Sequence, residues 1–197
     1  MNATLTLTDA RAKALQAYEG AALPSGNEES WRKIKLGGFD PRAFALYASK
    51  TSVDVENPAP DQIRVLSYAE ALEDKTLREH VTADLEAAAR DHEDIFAVQN
   101  AAVFQHGTVI YSRAALKEPV RLRHSVQSGD ALLHRTLIVA GDNAELTVVE
   151  EFTGAASNGD QLWNCVARVV CGANARVNHV SVRRYQDREY NFHRFTS

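Results

Sequence analysis

Two copies of one short turn constrain this chain more than any other feature. Gly141-Asp142-Asn143-Ala144-Glu145-Leu146 recurs as Gly172-Ala173-Asn174-Ala175-Arg176-Val177, 31 residues later. An apolar run precedes each copy, Leu137 to Ala140 and Arg168 to Cys171, and a second strand-like run follows, ending near Glu151 and Tyr185. Glycine and asparagine tolerate positive φ and suit a tight corner. The small alanine lets the next corner stack closely. Corners at a fixed period between short strands are what a β-solenoid needs, although an antiparallel sandwich can use similar turns.

The surrounding sequence divides in two. Residues 106–197 read as all-β, with strands expected at Thr108–Tyr111, Val120–Arg123, Arg135–Val139, Glu145–Glu150, Leu162–Val170 and Arg176–Tyr185. Pro119 stands at the start of one of them, where its missing N–H does least harm. Residues 1–105 read as a helical or mixed N-terminal subdomain. Thr8 and Asp9 are expected to cap a helix through about Tyr18, ended by Gly20. Further helices are expected at Asn27–Lys33, Pro41–Ala48, Tyr68–Leu72, Ala83–Arg90 and, after an Asp94 cap, Phe96–Val103. Residues 51–62, with Pro58 and Pro60, read as a loop, and Ile63–Leu66 as a short strand.

Charge is unevenly spread over a net −4. The basic side chains of residues 101–197 are ten arginines and Lys117. Arginine packs its stem on a sheet and pairs carboxylates bidentately, so a solvated arginine face or a protein-docking surface is expected. A sequence pI near 6.0 without an aromatic-basic motif argues against nucleic acid. No apolar run is long enough to span a membrane, and the first residues do not read as a secretory signal. Two cysteines are too few for a disulfide framework, so a reducing cytoplasm is expected.

No pattern for a catalytic, cofactor or metal site stands out, and the expected site list is empty in all three classes. Cys165 and Cys171 are separated by five residues, not the two of a Cys-x-x-Cys pair; by strand alternation they share an apolar inward face with Ala167 and Val169, as buried free thiols. A metal pair is the weaker alternative. His179 aligns with Val148 across the repeat and is expected to be partly buried as a packing residue. Glu150 and Glu151 point to opposite faces of a strand and read as a solvated strand end rather than a catalytic pair. There is no HExxH, Walker, GxGxxG or GxSxG motif.

Several segments together resemble one family. They are Leu23-Pro24 followed by Glu29-Ser30-Trp31-Arg32-Lys33; Asp94-Ile95-Phe96-Ala97-Val98-Gln99-Asn100-Ala101-Ala102; Lys117-Glu118-Pro119-Val120-Arg121-Leu122; and Arg135-Thr136-Leu137-Ile138-Val139 with Gly141 to Glu150. In this order they resemble the SufB/SufD family over roughly residues 20–195, the N-terminal pattern being closer to SufD-type members. Val98 and Gln99 depart mildly from the usual motif. The resemblance implies a non-catalytic scaffold subunit for iron–sulfur cluster assembly that works with SufB-like and SufC-like (ATPase) partners. It also implies a mainly β fold: an incomplete right-handed parallel β-helix preceded by a helical N-terminal subdomain.

Family members are much longer, so the chain is expected to be a truncated or shortened form. It is then expected to carry no cofactor, the cluster being handled by the full complex, and to self-associate through its open β edge. The alternatives are a β-helix carbohydrate-active enzyme and an oligomerisation module without cluster function.

Overall fold

The computed structural model describes residues 6–25, 31–34, 36–44, 50–90, 94–128, 130–154, 159–184 and 188–197. Among these residues the fold is mainly β, with four α-helices and two mixed sheets.

The helices begin where side chains satisfy orphan backbone groups. Helix α1 (Leu7–Gly20) is capped by Thr6, two residues before the expected Thr8: Thr6 Oγ1 accepts from the Asp9 N–H, and the Asp9 carboxylate accepts from the Thr6 N–H. Ser67 and Glu70 repeat this box at α2 (Tyr68–Glu73). Such caps contribute about 1 kcal/mol each. Helix α3 (Arg78–Arg90) is longer than expected. The Asp74 carboxylate, accepting from the Thr76 and Leu77 N–H groups, shapes the turn before it. Asp94 caps α4 (Ile95–Val103) by accepting from Phe96 and Ala97. All nine residues of α4 are buried, the mark of a helix enclosed on every side. The expected helix at 27–33 lies partly outside the described residues, and its described end, 31–33, is a turn. Of the expected helix at 41–48, Pro41–Ala43 form a 3-10 turn and 45–49 lie outside the described residues.

Strand β1 (Lys50–Glu56) corrects the loop expected at 51–62. Thr51, Val53 and Val55 supply alternating β-branched residues, and the prolines fall after the strand has ended. The remaining strands are β2 (Ile63–Ser67), β3 (His106–Ser112), β4 (Val120–Ser128), β5 (Ala131–Ala140), β6 (Glu145–Thr153), β7 (Gln161–Cys171), β8 (Arg176–Arg184) and β9 (Glu189–Thr196). One sheet has the order β1-β4-β6-β8, and the other β2-β3-β5-β7-β9. β1 and β2 pair antiparallel with β4 and β3. Every other pairing is parallel. From β3 onward the chain therefore alternates between the sheets, and each strand lies beside the one two places earlier.

The repeated turn sits at successive passages between sheets. Asn143 and Asn174 adopt φ of 58° and 56°, the left-handed conformation that asparagine tolerates. The corners are bonded to one another: Asn143 N–H donates to Ala173 O, and Ala173 N–H to the Asp142 carboxylate. A Cβ on Gly172 would lie 2.7 Å from Asp142 N, so close stacking requires glycine there. An earlier corner, around Ala114–Leu116, joins the same stack through Glu145 N–H to Ala114 O and Leu116 N–H to Glu145 O. It lacks the Gly-x-Asn-Ala sequence and is invisible as a repeat.

The helices cover the outer face of the five-stranded sheet, with Leu133, Leu137, Val139 and Leu162 packed against Val98, Ala101 and Phe104. Ile110, Ile138, Val120, Leu122, Leu146 and Val148 fill the space between the sheets. β5 is consequently buried along its whole length. A buried polar lattice pins the helices to the sheet. The Asp84 carboxylate of α3 accepts from Arg135 Nε at 2.6 Å and Nη2 at 2.9 Å, and from the Tyr68 hydroxyl at 2.8 Å. Asn100 of α4 accepts from Arg135 and donates to the His134 and Asn164 carbonyls. Asn164 in turn donates to Phe96 O and Gln99 Oε1. Burial opposes the charge on Arg135, yet Asp84 raises its pKa above the ordinary arginine value. Among the described residues no helix is long and apolar enough to cross a membrane.

Candidate functional site

Between the sheets, the apolar filling gives way to a polar cluster. Strand alternation turns His124 of β4, His134 and Thr136 of β5, Glu150 of β6 and His179 of β8 into this space. His124, His134 and Glu150 are almost fully buried, at 1%, 1% and 3% exposure. One potential ligand atom from each of these three lies within 4.8 Å of the others.

Glu150 is the hub. Its Oε1 accepts from the Thr136 hydroxyl at 2.6 Å and lies 3.1 Å from His124 Nε2 and 3.9 Å from His134 Nε2. Its Oε2 lies 2.6 Å from His179 Nε2. Burial disfavours the Glu150 anion, but hydrogen bonds from His124 and His179 outweigh it and hold the carboxyl well below the usual range. Burial, reinforced by the charge of His124, pushes the His134 pKa well below that of a free imidazole. The rings of His124 and His134 are 4.0 Å apart, and Phe152 stacks on His124 at 4.5 Å.

A cavity of about 390 Å³ adjoins the cluster, lined by His134, Glu150, Cys165, His179, Arg183 and His193 among others. It is bordered by Ser181 and Phe195, which are exposed. Register explains the lining: His134, Cys165 and His193 are consecutive partners across β5, β7 and β9. Burial pushes the Cys165 thiol well above its normal pKa, with the Glu150 charge acting the same way. Burial and then Arg183 lower the His193 pKa to about 3.

These placements sort the sequence expectations. Cys165 is buried and free, and its inward direction is as expected. Cys171 is free but exposed, which corrects its inward burial. It ends β7, beyond the last β7–β9 pair at Arg168 and Thr196, so β9 does not cover it. His179 pairs with Val148 in register and is half-buried, as the repeat implies, but it bonds a carboxylate rather than only packing. Glu150 and Glu151 do point to opposite faces. Glu151 meets Arg121 at 3.4 Å on the outer face, whereas Glu150 is interior, correcting its reading as solvated. The arginines are likewise not all a solvated face, since Arg135 is 3% exposed. His124, His134 and Thr136 were not singled out from the sequence. The signal was present in the phase of alternation: Glu150 sits between Val148 and Phe152, and His124 between Leu122 and Val126, all inward positions.

Comparison with known proteins shows what this chain is similar to. Residues 123–196 match the family model described as SUF system FeS cluster assembly, SufBD core domain. The chain is 27% identical over 159 residues to the iron-sulfur cluster assembly protein SufD of Bacillus subtilis, covering 68% of this chain and 36% of that protein. It is 24% identical over 196 residues to an iron-sulfur cluster assembly SufBD family protein of Staphylococcus saprophyticus, covering 85% and 40%. A third SufBD family protein, from Synechocystis, is 27% identical over 133 residues, covering 66% and 27%. The chain thus spans well under half the length of these curated relatives.

Proposed function

We propose that this chain, a relative of the SufBD proteins over most of its length, is a non-catalytic scaffold component in iron–sulfur cluster assembly. The observation that carries this reading is the match over residues 123–196, which falls on the alternating strands from β4 to β9. The resemblance in the N-terminal segments and the relative named SufD extend it to a SufD-like subunit. On this reading it associates with SufB-like and SufC-like (ATPase) proteins in the cytoplasm, and the full complex handles the cluster.

The alternating parallel strands are taken as coils of a right-handed parallel β-helix. Two observations support that reading: the shared register of each strand with the one two places earlier, and the bonded corner stack. The exposed outer edges of β8 and β9 then receive a further coil, a second copy or a partner subunit. Val180, Val182 and Phe195, exposed near those edges, supply apolar area for it. A carbohydrate-active enzyme is less well supported, because the interior carboxylate Glu150 is enclosed by histidines rather than paired with a second acid.

The test is co-purification of the native full-length gene product with SufB-like and SufC-like proteins, followed by cluster transfer to an apo-acceptor. Association together with transfer supports the scaffold role. A product that neither associates nor supports transfer rules it out.

A further inference from the structure

We infer that His124, His134 and Glu150 form a binding site for a single first-row divalent transition-metal ion, with His179 as a fourth donor. This inference rests on the ligand geometry and is independent of the proposed scaffold role.

Three lines of geometry converge. The first is spacing. Ligand atoms that share one small ion stand roughly 3–4 Å apart, given metal–ligand bonds of about 2.0–2.2 Å. The observed separations are 3.1 Å for His124 Nε2 to Glu150 Oε1 and 3.9 Å for His134 Nε2 to Glu150 Oε1. His179 Nε2 reaches the other carboxylate oxygen. The second is mounting. The four residues come from β4, β5, β6 and β8, which belong to two facing sheets, so each donor is fixed by a different hydrogen-bonded strand. Rigid mounting is what a metal site requires. The third is convergence in a buried space: His124, His134 and Glu150 are almost fully buried, and three imidazoles direct Nε2 at the two oxygens of one carboxylate. His134 Nε2 also lies 2.9 Å from Thr136 Oγ1, a contact that the ion replaces.

The donor set selects the class of ion. Imidazole nitrogen with one carboxylate suits zinc, ferrous iron, cobalt or nickel, whereas calcium and magnesium prefer oxygen donors throughout. The adjoining cavity gives the ion a route past Ser181 and Phe195 and leaves room for water or an exogenous ligand at an open position. Cys165 and His193 line that cavity but are not required as ligands.

The test uses the full chain, stripped with a chelator and then titrated with cobalt(II) chloride, read by visible d–d absorption and by calorimetry. One cobalt per chain is expected, displaced by zinc(II). His134→Gln and Glu150→Gln are made separately, with folding checked by circular dichroism, and Cys171→Ser serves as the surface control. Loss of an outer-shell partner already weakens metal sites by about 10–100-fold. Loss of either direct ligand is therefore expected to weaken binding by at least about 100-fold, while Cys171→Ser retains it. Absence of stoichiometric binding to the wild-type chain overturns the inference without recourse to any variant. Binding left unchanged in folded His134→Gln and Glu150→Gln, or abolished by Cys171→Ser, also overturns it.

Discussion

Replacing Asp84 with leucine tests how the helical layer is held on the sheet. The wild-type carboxylate accepts two hydrogen bonds from Arg135 and one from Tyr68, with all three side chains buried. Asp84→Leu leaves the Arg135 guanidinium charged and enclosed, with the neutral Asn100 Oδ1 and Tyr68 hydroxyl as its side-chain partners. Breaking a buried ion pair from one side costs about 3–5 kcal/mol. For a chain of this size, about 2–4 °C of Tm is lost per kcal/mol, so a fall of about 6–20 °C is expected. Arg135→Met alone is expected to cost less, because Asp84 keeps the Tyr68 hydroxyl and has Arg168 Nη1 at 3.7 Å. The double variant Asp84→Leu/Arg135→Met removes both charges. Buried pairs replaced by apolar groups are often near neutral, so it is expected to be more stable than Asp84→Leu alone. Urea denaturation of all four proteins gives the coupling energy. A cost below about 1 kcal/mol for Asp84→Leu, or strict additivity in the double variant, would refute the view that this pair locks the layers together.

Three other outcomes follow from the structure. Asn174→Ala forces a side chain without local hydrogen-bonding ability into the left-handed region and is expected to cost about 1 kcal/mol in urea denaturation, whereas Asn174→Gly stays within a few tenths. In the native chain one thiol, Cys171, reacts promptly with a neutral alkylating reagent, while Cys165 reacts only after denaturation; peptide mapping of the labelled sites decides this, and prompt native labelling of Cys165 contradicts its burial. His193 titrates near 6.5 when unfolded but at about 3 when folded, so its neutral form is favoured by folding. The His193 contribution to stability is then complete above pH 6.5 and is lost as pH drops from 6.5 towards 3, by up to about 1.4 kcal/mol per unit. With chelator present, His193→Gln is expected to flatten that slope; parallel pH profiles for the two proteins contradict it.

Much of the architecture is legible in the chain because the signals are local. The Gly-x-Asn-Ala corners announce their own backbone conformation, and Asp94 announces the start of α4. What is not legible depends on partners distant in sequence. β1 reads as a loop because its pairing with β4 exists only after folding, across some 70 residues (Ser52 bonds Ser125, for instance). Glu150 illustrates the same limit at the site. Alternation separates it from Glu151, but which of the two faces inward depends on a second sheet closing over β6. β5 is buried on both faces, so His134 carries no polar-apolar alternation from which its direction could be read.

The two ends of the sandwich keep different accounts of length. From Ser112, Ala140 and Cys171 to their register-matched successors Val120, Val148 and His179, the chain uses the same number of residues every time. At the other end, the passage from Thr153 to Leu162 is three residues longer than the passages from Ser125 to Ala131 and from Arg184 to Tyr190. The Asn-Ala corners thus act as a metronome: a residue added there would rotate every later side chain to the opposite face and empty the Glu150 cluster. The opposite passages keep no such count: the three extra residues between Thr153 and Leu162 leave the β5–β7 and β7–β9 registers continuous, which makes that end the natural place for such a fold to vary in length.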